Sequence, residues 1–376
     1  MKSRKWAKIG LYVASLSVAA LASAAQFNYV DFSSMSGMNL LGNASQQGNV
    51  LRLTDMAGGQ SGYAWQGTQQ HVASGFDTTF KFRVREEWPG SGADGFAFVI
   101  QNNSGTFSAG PEAAGGGMGY HETLANSVVI EFDTYTNWGL EPRTSVEWYF
   151  DWELNQWLNF DYADYYTDWD HAWDFYSNNH VAIQTRGTSA NSADYNQSGI
   201  AYGFPNFKIT DGQEHTAHVV YDGTAHTLKM YLDGEAQPTL SGSIDLSTKL
   251  SLNNGMAWVG FTAATGGAVS EHDILAWNFK SSYQWSGFLS PVAHKQVFKA
   301  GSTIPVKFQL VGASAGITNA AANFTVNGAT AGYFRYDVQA GQYIMNWQTT
   351  GLPTGNYVIG ADLGDGTVRQ VTLTLN

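Results

Sequence analysis

The chain has 376 residues, of which 43% are hydrophobic, 14% aromatic and only 13% charged, with 42 glycines and 8 prolines. That is too apolar for a disordered chain and too glycine-rich for a helical bundle, and the length suits two unequal units, the larger of them β. With 19 basic against 31 acidic residues and a formal net charge of −12, the chain would repel a phosphate backbone, which argues against nucleic-acid binding but leaves cation binding open.

At the start, Lys2, Arg4, Lys5 and Lys8 precede an apolar run from Ile9 to about Leu21 and then Ala22-Ser23-Ala24. A charged, then apolar, then small-residue order is that of a secretory signal. Residues 1–25 are therefore expected to be cleaved near Ala24 or Ala25, by a bacterial style of export. The product would be secreted, or retained in a periplasm or at a cell surface. No other apolar run approaches the ~20 residues that cross a bilayer, so no membrane span is expected. Cysteine is absent, and an extracellular fold without disulfides must rely on a large core or bound metal.

Short β segments follow: 95–100, 127–132, 215–221 and 227–232. The last two are joined by Asp222-Gly223-Thr224-Ala225, and the second runs into Asp233-Gly234; Asp-Gly favours a turn because glycine takes positive φ without steric cost. Close-spaced strands with glycine-rich turns predict a sandwich of antiparallel sheets and no long helix. Two stretches interrupt the pattern. From Trp138 to Tyr176 runs an insertion holding six of the 13 tryptophans, interleaved with Asp151, Glu153, Asp161, Asp164, Asp168, Asp170 and Asp174. Ser281 to Gly287 reads as a short polar linker, which divides the chain into 26–283 and 284–376.

Chemistry concentrates in Glu131-Phe132-Asp133-Thr134-Tyr135-Thr136-Asn137. Alternate strand residues share a face, so Glu131, Asp133 and Tyr135 point together. Two carboxylates side by side repel, and a hard divalent cation relieves that repulsion; Ca²⁺ accepts carboxylate, amide and carbonyl oxygens. Asn178-Asn179-His180 leads into the strand at 181–183 and supplies an imidazole suited to a transition ion such as Mn²⁺. On spacing alone, a solvated strand face and a loop histidine account for these residues equally well.

Four blocks, in order, tip that balance: Ala93-Asp94-Gly95-Phe96-Ala97-Phe98, Gly115-Gly116-Gly117-Met118-Gly119-Tyr120, Val129 to Asn137, and Trp258 to Gly266 continuing through His272-Asp273-Ile274-Leu275-Ala276-Trp277. Together they resemble the blocks of legume-type (L-type) lectins. The resemblance implies a concanavalin A-like jelly-roll sandwich, a shallow loop site for glycans or polysaccharide, and two metals beside it. Carried over by position, Glu131, Asp133, His180 and a bridging aspartate resemble the transition-metal ligands, while Asp133, the Tyr135 carbonyl and Asn137 resemble those of Ca²⁺. Asp94, expected after a cis Ala93-Asp94 peptide, is similar to the sugar-binding aspartate. Gly117 would offer a backbone N–H, Asn137 and Tyr135 would flank the sugar, and Gly266, Gly267 and Ala268 would tune which monosaccharide fits. The family's bridging aspartate falls five residues before the histidine, at Phe175 here; Asp174 is the expected substitute through a one-residue bulge, with Asp168 and Asp170 as alternatives. The aromatic insertion beside this site is either a self-packed flap or a stacking platform for a longer glycan.

Residues 284–376 carry their own strands at 297–299, 304–310, 343–347 and 357–359. Their Gly301 to Phe308 segment, followed by Gly341-Gln342-Tyr343 and Trp347, resembles secreted bacterial modules of the PxKF type, which implies a small Ig-like β-sandwich serving as a spacer or attachment module. A rival function comes from laminarinase-type glycoside hydrolases, which share the jelly roll and carry Glu-x-Asp-x-x-Glu on a strand. Retaining hydrolysis needs two carboxyls about 5–5.5 Å apart, and Thr136 or Asn137 stands where the second is required, leaving Glu147 or Glu153 of the insertion as substitutes. No enzyme is therefore expected. A structural adhesin without sugar binding is the third reading, disfavoured because Asp94 and Asn137 are both present. Oligomerisation, the sugar and the metal occupancy stay open at this level.

Overall fold

A computed structural model describes residues 26–110, 113–135, 147–151, 156–160 and 179–376. Among these, helix is confined to three-residue turns and two single turns, Tyr195–Ser198 and Leu246–Lys249. Each of the latter is opened by an aspartate, Asp194 or Asp245, whose carboxylate accepts the amide of the second helical residue.

The larger unit is two eight-stranded antiparallel sheets. The back sheet runs Leu240–Ser243, Thr227–Leu232, His215–Asp222, Gly75–Glu86, Ser270–Ser281, Val50–Thr54, Ser45–Gln47, with Gln26–Tyr29 pairing onto Ser270–Ser281. The front sheet runs Gly199–Gly203, His180–Gln184, Ser127–Asp133, Gly95–Gln101, Met256–Ala264, Ser61–Gln66, Met38–Gly42, with Gln70–His71 on Met256–Ala264. The sandwich predicted from the strand spacing is what forms. Between the sheets lies a core dominated by Phe80, Phe82, Phe96, Phe98, Phe132, Phe261 and Trp277, all essentially without solvent exposure. Full burial of one such side chain contributes roughly 1.5–3 kcal/mol. The back-sheet strands His215–Asp222 and Thr227–Leu232 alternate buried and partly exposed residues, as expected for a sheet wet on one side.

The two Asp-Gly turns differ in their physics. At Asp233-Gly234 both residues have positive φ, 47° and 74°, and the Glu235 amide closes the turn on the Leu232 carbonyl at 2.9 Å. At Asp222-Gly223 the carboxylate is the organiser, accepting the amides of Thr224 and Ala225 at 2.8 and 3.0 Å. Gly223 is required there for space: a Cβ would lie 2.5 Å from the Ala73 carbonyl.

Inside the insertion, Glu147–Asp151 and Gln156–Phe160 pair as an antiparallel hairpin in a sheet of their own. The remainder of that segment, and with it Asn137, Asp168, Asp170 and Asp174, lies outside the described residues, as does the leader 1–25.

A second core belongs to the C-terminal unit. Its four-stranded sheet runs Trp285–Phe288, Thr303–Leu310, Gln342–Gln348, Arg335–Asp337; its five-stranded sheet runs Val297–Phe298, Val368–Leu375, Gly355–Asp362, Asn323–Val326, Ala329–Tyr333. Phe308, Phe324, Phe334, Tyr343 and Trp347 fill the space between. The stretch read as a linker is narrower than its polar composition implies. Ser281 ends a back-sheet strand, Trp285 already pairs with Leu310, and Tyr283 is buried in the second core.

The two units meet at His71. Its Nε2 accepts the Ser74 amide at 3.3 Å and lies 2.8 Å from the Ser74 hydroxyl, which in turn is 2.5 Å from the hydroxyl of Ser314. Ser314 accepts the Gln284 amide at 3.0 Å, and the imidazole stacks on Tyr283 with ring centroids 5.4 Å apart. Burial drives the His71 pKa down to about 4. The unfolded chain, with an ordinary histidine near 6.5, takes up a proton that the folded chain refuses. Stability is therefore full above about pH 6.5 and declines as pH falls toward 4. Thermal unfolding of His71→Phe, which keeps the stacked ring but cannot titrate, should lose about 2–3 kcal/mol less than the wild type between pH 7 and pH 4. An unchanged pH slope would show that His71 does not carry this loss.

Candidate functional site

The centre of the front sheet is buried on both faces. Every residue of Gly95–Gln101, Ser127–Asp133 and His180–Gln184 is buried. Phe96, Phe98, Ile100, Ile130, Phe132, Val181 and Ile183 face the back sheet. The alternate set, including Ala97, Val99 and Val129, packs under Tyr63, Trp65, Met118, Tyr120 and Leu124 in a separate cluster. Glu131 and Asp133 belong to this second face by strand alternation. Across the sheet Glu131 stands opposite Ala97 on one side and Ala182 on the other, while Asp133 stands opposite Gly95 and His180. On the side of strand Gly95–Gln101 the neighbours of both carboxylates, Ala97 and Gly95, are small.

Glu131 has no exposure, and its two oxygens are taken by different donors. The Tyr120 hydroxyl donates to one and the Gln184 side-chain amide to the other; the Ser198 hydroxyl, donating to the Gln184 carbonyl oxygen, fixes the orientation of that amide. His180 Nε2 lies 3.8 Å from Glu131. Burial is the main influence on the Glu131 carboxyl and, with the Asp133 charge, raises its pKa against the opposing pull of His180 and Tyr120. Asp133 accepts the Tyr135 amide at 2.9 Å, which turns the chain away at the strand end.

Asp94 is reached from the neighbouring strand. The Ala93–Asp94 peptide is cis, as expected. The Asp94 amide donates to the Ala264 carbonyl at 3.1 Å, and the Thr134 amide donates to the Asp94 carbonyl at 3.1 Å, which ties this residue to the turn after Asp133. Its side chain is 3% exposed, and Oδ2 has no hydrogen-bond partner. Burial, then the charge of Asp133, push the Asp94 pKa up to about 7 against a hydrogen bond from the Gly266 backbone. Two glycines form the wall around it: a Cβ on Gly266 would sit 3.2 Å from Asp94 Oδ2, and one on Gly115 would sit 3.8 Å away.

The structure thus brings Glu131, Asp133, His180, Asp94, Tyr135 and Gly266 to one end of the front sheet. Gly267 is exposed and Ala268 partly buried on the same segment as Gly266. Gly117 is placed differently from the expectation: it is buried and its N–H is directed at the Ala114 carbonyl at 3.3 Å, so Gly115 is the glycine beside Asp94. Gly117 is taken up by the short 3₁₀ turn Gly115–Gly117. The sequence places Tyr120 in the glycine block without a role, and Gln184 and Ser198 belong to no motif, because a tyrosine, a glutamine and a serine far apart in the chain reveal no shared partner. Removing the Tyr120 hydroxyl leaves a buried carboxylate oxygen short of a donor. Tyr120→Phe should cost about 1–3 kcal/mol in denaturant unfolding, and a loss below about 0.5 kcal/mol would show that this bond is not needed.

As a donor set, these carboxylates with an imidazole suit a hard divalent cation and a transition ion. No lysine or arginine among the described residues forms an ion pair with Asp94 or Glu131, so a cation at this end would offset the burial, and the smaller repulsion from Asp133, that raise both carboxyls. Among the described residues no three His, Cys, Asp or Glu side chains cluster tightly enough to hold an ion by themselves. The remaining expected ligands, Asn137 and Asp174, lie outside those residues.

Residues 28–276 match the legume lectin beta-barrel domain. The chain is 26% identical to Agglutinin-2 of Cladrastis kentukea over 238 residues, 60% of this chain and 63% of that protein. It is 27% identical to Lectin 7 of Medicago truncatula over 280 residues, 66% of this chain and 85% of that one. Against the L-type lectin-domain containing receptor kinase VII.1 of Arabidopsis thaliana it is 32% identical over 111 residues, 28% of this chain and 16% of the kinase. The chain thus spans less than two thirds of the agglutinin and a small part of the kinase. Among solved structures it is similar to peanut lectin, with 23% identity and a TM-score of 0.49 over 69% of this chain and 98% of that one. These relatives are lectins or lectin-domain receptors. The chain belongs to the legume (L-type) lectin family.

Proposed function

We propose that this protein is an exported lectin that grips a glycan at Asp94 and depends on divalent metal to do so. The observation that supports this most directly is the Asp94 carboxylate: buried, walled by Gly115 and Gly266, and with an oxygen that no protein group satisfies. A sugar hydroxyl is a donor of the right kind for that oxygen. Asn137 and Tyr135 would complete the polar and aromatic contacts, while Gly266, Gly267 and Ala268 shape the rim.

Asp133, Asn137, the Tyr135 carbonyl and an insertion aspartate such as Asp174 would hold Ca²⁺; the same bridging aspartate with Asp133 and His180, and with Glu131 once it exchanges one of its protein donors for the metal, would hold a Mn²⁺-like ion. Such ions supply positive charge that keeps the neighbouring carboxylates ionised and the turn after Asp133 in place. The ties from Asp94 to that turn and to Ala264 pass this order on to the sugar site. Removal of the leader at about residue 25 would deliver the protein outside the cytoplasm, with residues 284–376 as an Ig-like, PxKF-type accessory module.

Titration calorimetry with a panel of mannose, galactose and N-acetylgalactosamine should detect reversible binding by the wild type and at least a tenfold loss on chelation, restored by Ca²⁺. Asp94→Ala should lose tenfold or more, the equivalent of one hydrogen bond to a charged group. Full affinity in Asp94→Ala would place the sugar elsewhere. Ca²⁺ at a hundredfold excess over its Kd should also add about 2.7 kcal/mol to the stability of the lectin unit.

A further inference from the structure

Residues 87–92 cross from the back-sheet strand Gly75–Glu86 to the front-sheet strand Gly95–Gln101. They lie over the same end of the sandwich as the Gly266 segment, to which the next residues are bound: the Ala93 amide donates to Ser270 Oγ at 3.0 Å and the Asp94 amide to the Ala264 carbonyl at 3.1 Å. This crossing is anchored twice. The Glu86 carboxylate accepts the amides of Gly90 and Gly92, at 3.1 and 3.3 Å, and is itself held by Lys208 Nζ at 2.5 Å and the Thr210 hydroxyl at 2.9 Å. Burial by itself would raise the Glu86 carboxyl, but these donors outweigh it and hold it below its ordinary value, so the anchor stays charged. Nearer the tip, the Ser91 amide and hydroxyl both donate to the Trp88 carbonyl, at 2.9 and 2.8 Å, while the Trp88 amide donates to Ser91 Oγ at 2.9 Å.

On this fixed turn stands Trp88, 66% exposed. An indole left in water on a braced backbone contributes nothing to the core, and its backbone order is already established before any ligand arrives, which lowers the entropic cost of binding. The Ser91 to Trp88 bond keeps those Cα atoms within about 7 Å, and the three residues on to Asp94 span at most ~11 Å. Trp88 therefore stands within reach of a short oligosaccharide held at Asp94.

We propose that Trp88 is the platform of a second sugar subsite, stacking on the apolar C–H face of a further pyranose in a glycan whose terminal unit occupies the Asp94 site. This rests on the Asp94 reading. Such an aromatic contact corresponds to about a three- to tenfold gain in affinity for an oligosaccharide over its terminal monosaccharide.

The test is calorimetry on the full chain with Ca²⁺, using the monosaccharide that binds from the panel of mannose, galactose and N-acetylgalactosamine and the di- to tetrasaccharides ending in it. The wild type should show the oligosaccharide gain; Trp88→Ala should abolish it while leaving monosaccharide affinity within twofold, and Trp88→Phe should restore part of it. A wild type that binds mono- and oligosaccharides equally, or a Trp88→Ala variant that keeps the full gain, overturns the subsite and leaves the Asp94 reading standing. Absence of binding to every sugar in the panel overturns the Asp94 reading and the subsite with it.

Discussion

Acidic side chains inside a sheet that is covered on both faces are the constraint on which the rest of this molecule turns. Glu131 and Asp133 sit in a strand without a single exposed residue, and Asp94 comes beside them from the next strand. Carboxylates in such surroundings are tolerated only where hydrogen bonds or cations compensate the lost hydration. The fold answers with two different solutions. Glu131 receives Tyr120 and Gln184, the latter oriented by Ser198, and is thereby built into the scaffold. Asp94 keeps an unsatisfied oxygen, and an unsatisfied buried acceptor at the mouth of a glycine-walled site is a place for a ligand.

Precision at that mouth comes from elsewhere in the sandwich. Asp94 is tied by its backbone to Ala264 and to Thr134, and its neighbour Ala93 to Ser270, so one strand from each sheet and the turn after Asp133 fix this residue. Gly115 and Gly266 then approach closely because they lack a Cβ; a larger residue at Gly266 would press on the carboxylate from 3.2 Å. The braced turn bearing Trp88 extends the same principle outward, with backbone hydrogen bonds keeping an exposed ring ready for contact.

The C-terminal unit has its own core and joins the larger one through a polar contact centred on His71, Ser74 and Ser314. A neutral histidine accepting from a backbone amide suits that contact at ordinary pH. Because the ring is buried, its protonation competes with folding, which makes this junction more acid-sensitive than the aromatic cores on either side.

The strand pattern and the sandwich were legible in the amino-acid sequence, as was the block that carries Glu131 and Asp133 to the end of the front sheet. Alternation and turn residues are local properties, and Ala93-Asp94-Gly95, the glycine block and Glu131-Phe132-Asp133 are contiguous, so their order along the chain carries the resemblance. Other features depended on tertiary structure. The glycine beside Asp94 is Gly115, whereas Gly117 is buried in a short 3₁₀ turn with its N–H directed at Ala114. The polar stretch at 281–287 became strand and buried core in part, because composition does not record pairing partners: Trp285 finds Leu310 and Tyr283 finds the second core. The donors to Glu131 arrive from residues 120 and 184, and the brace under Trp88 draws on Lys208 and Thr210. Such groups meet through long-range strand pairing and loop packing, which no local spacing encodes; the chain by itself determined which chemistry is present, and the packing of two sheets decided which acid is sealed by donors and which is left open to a ligand.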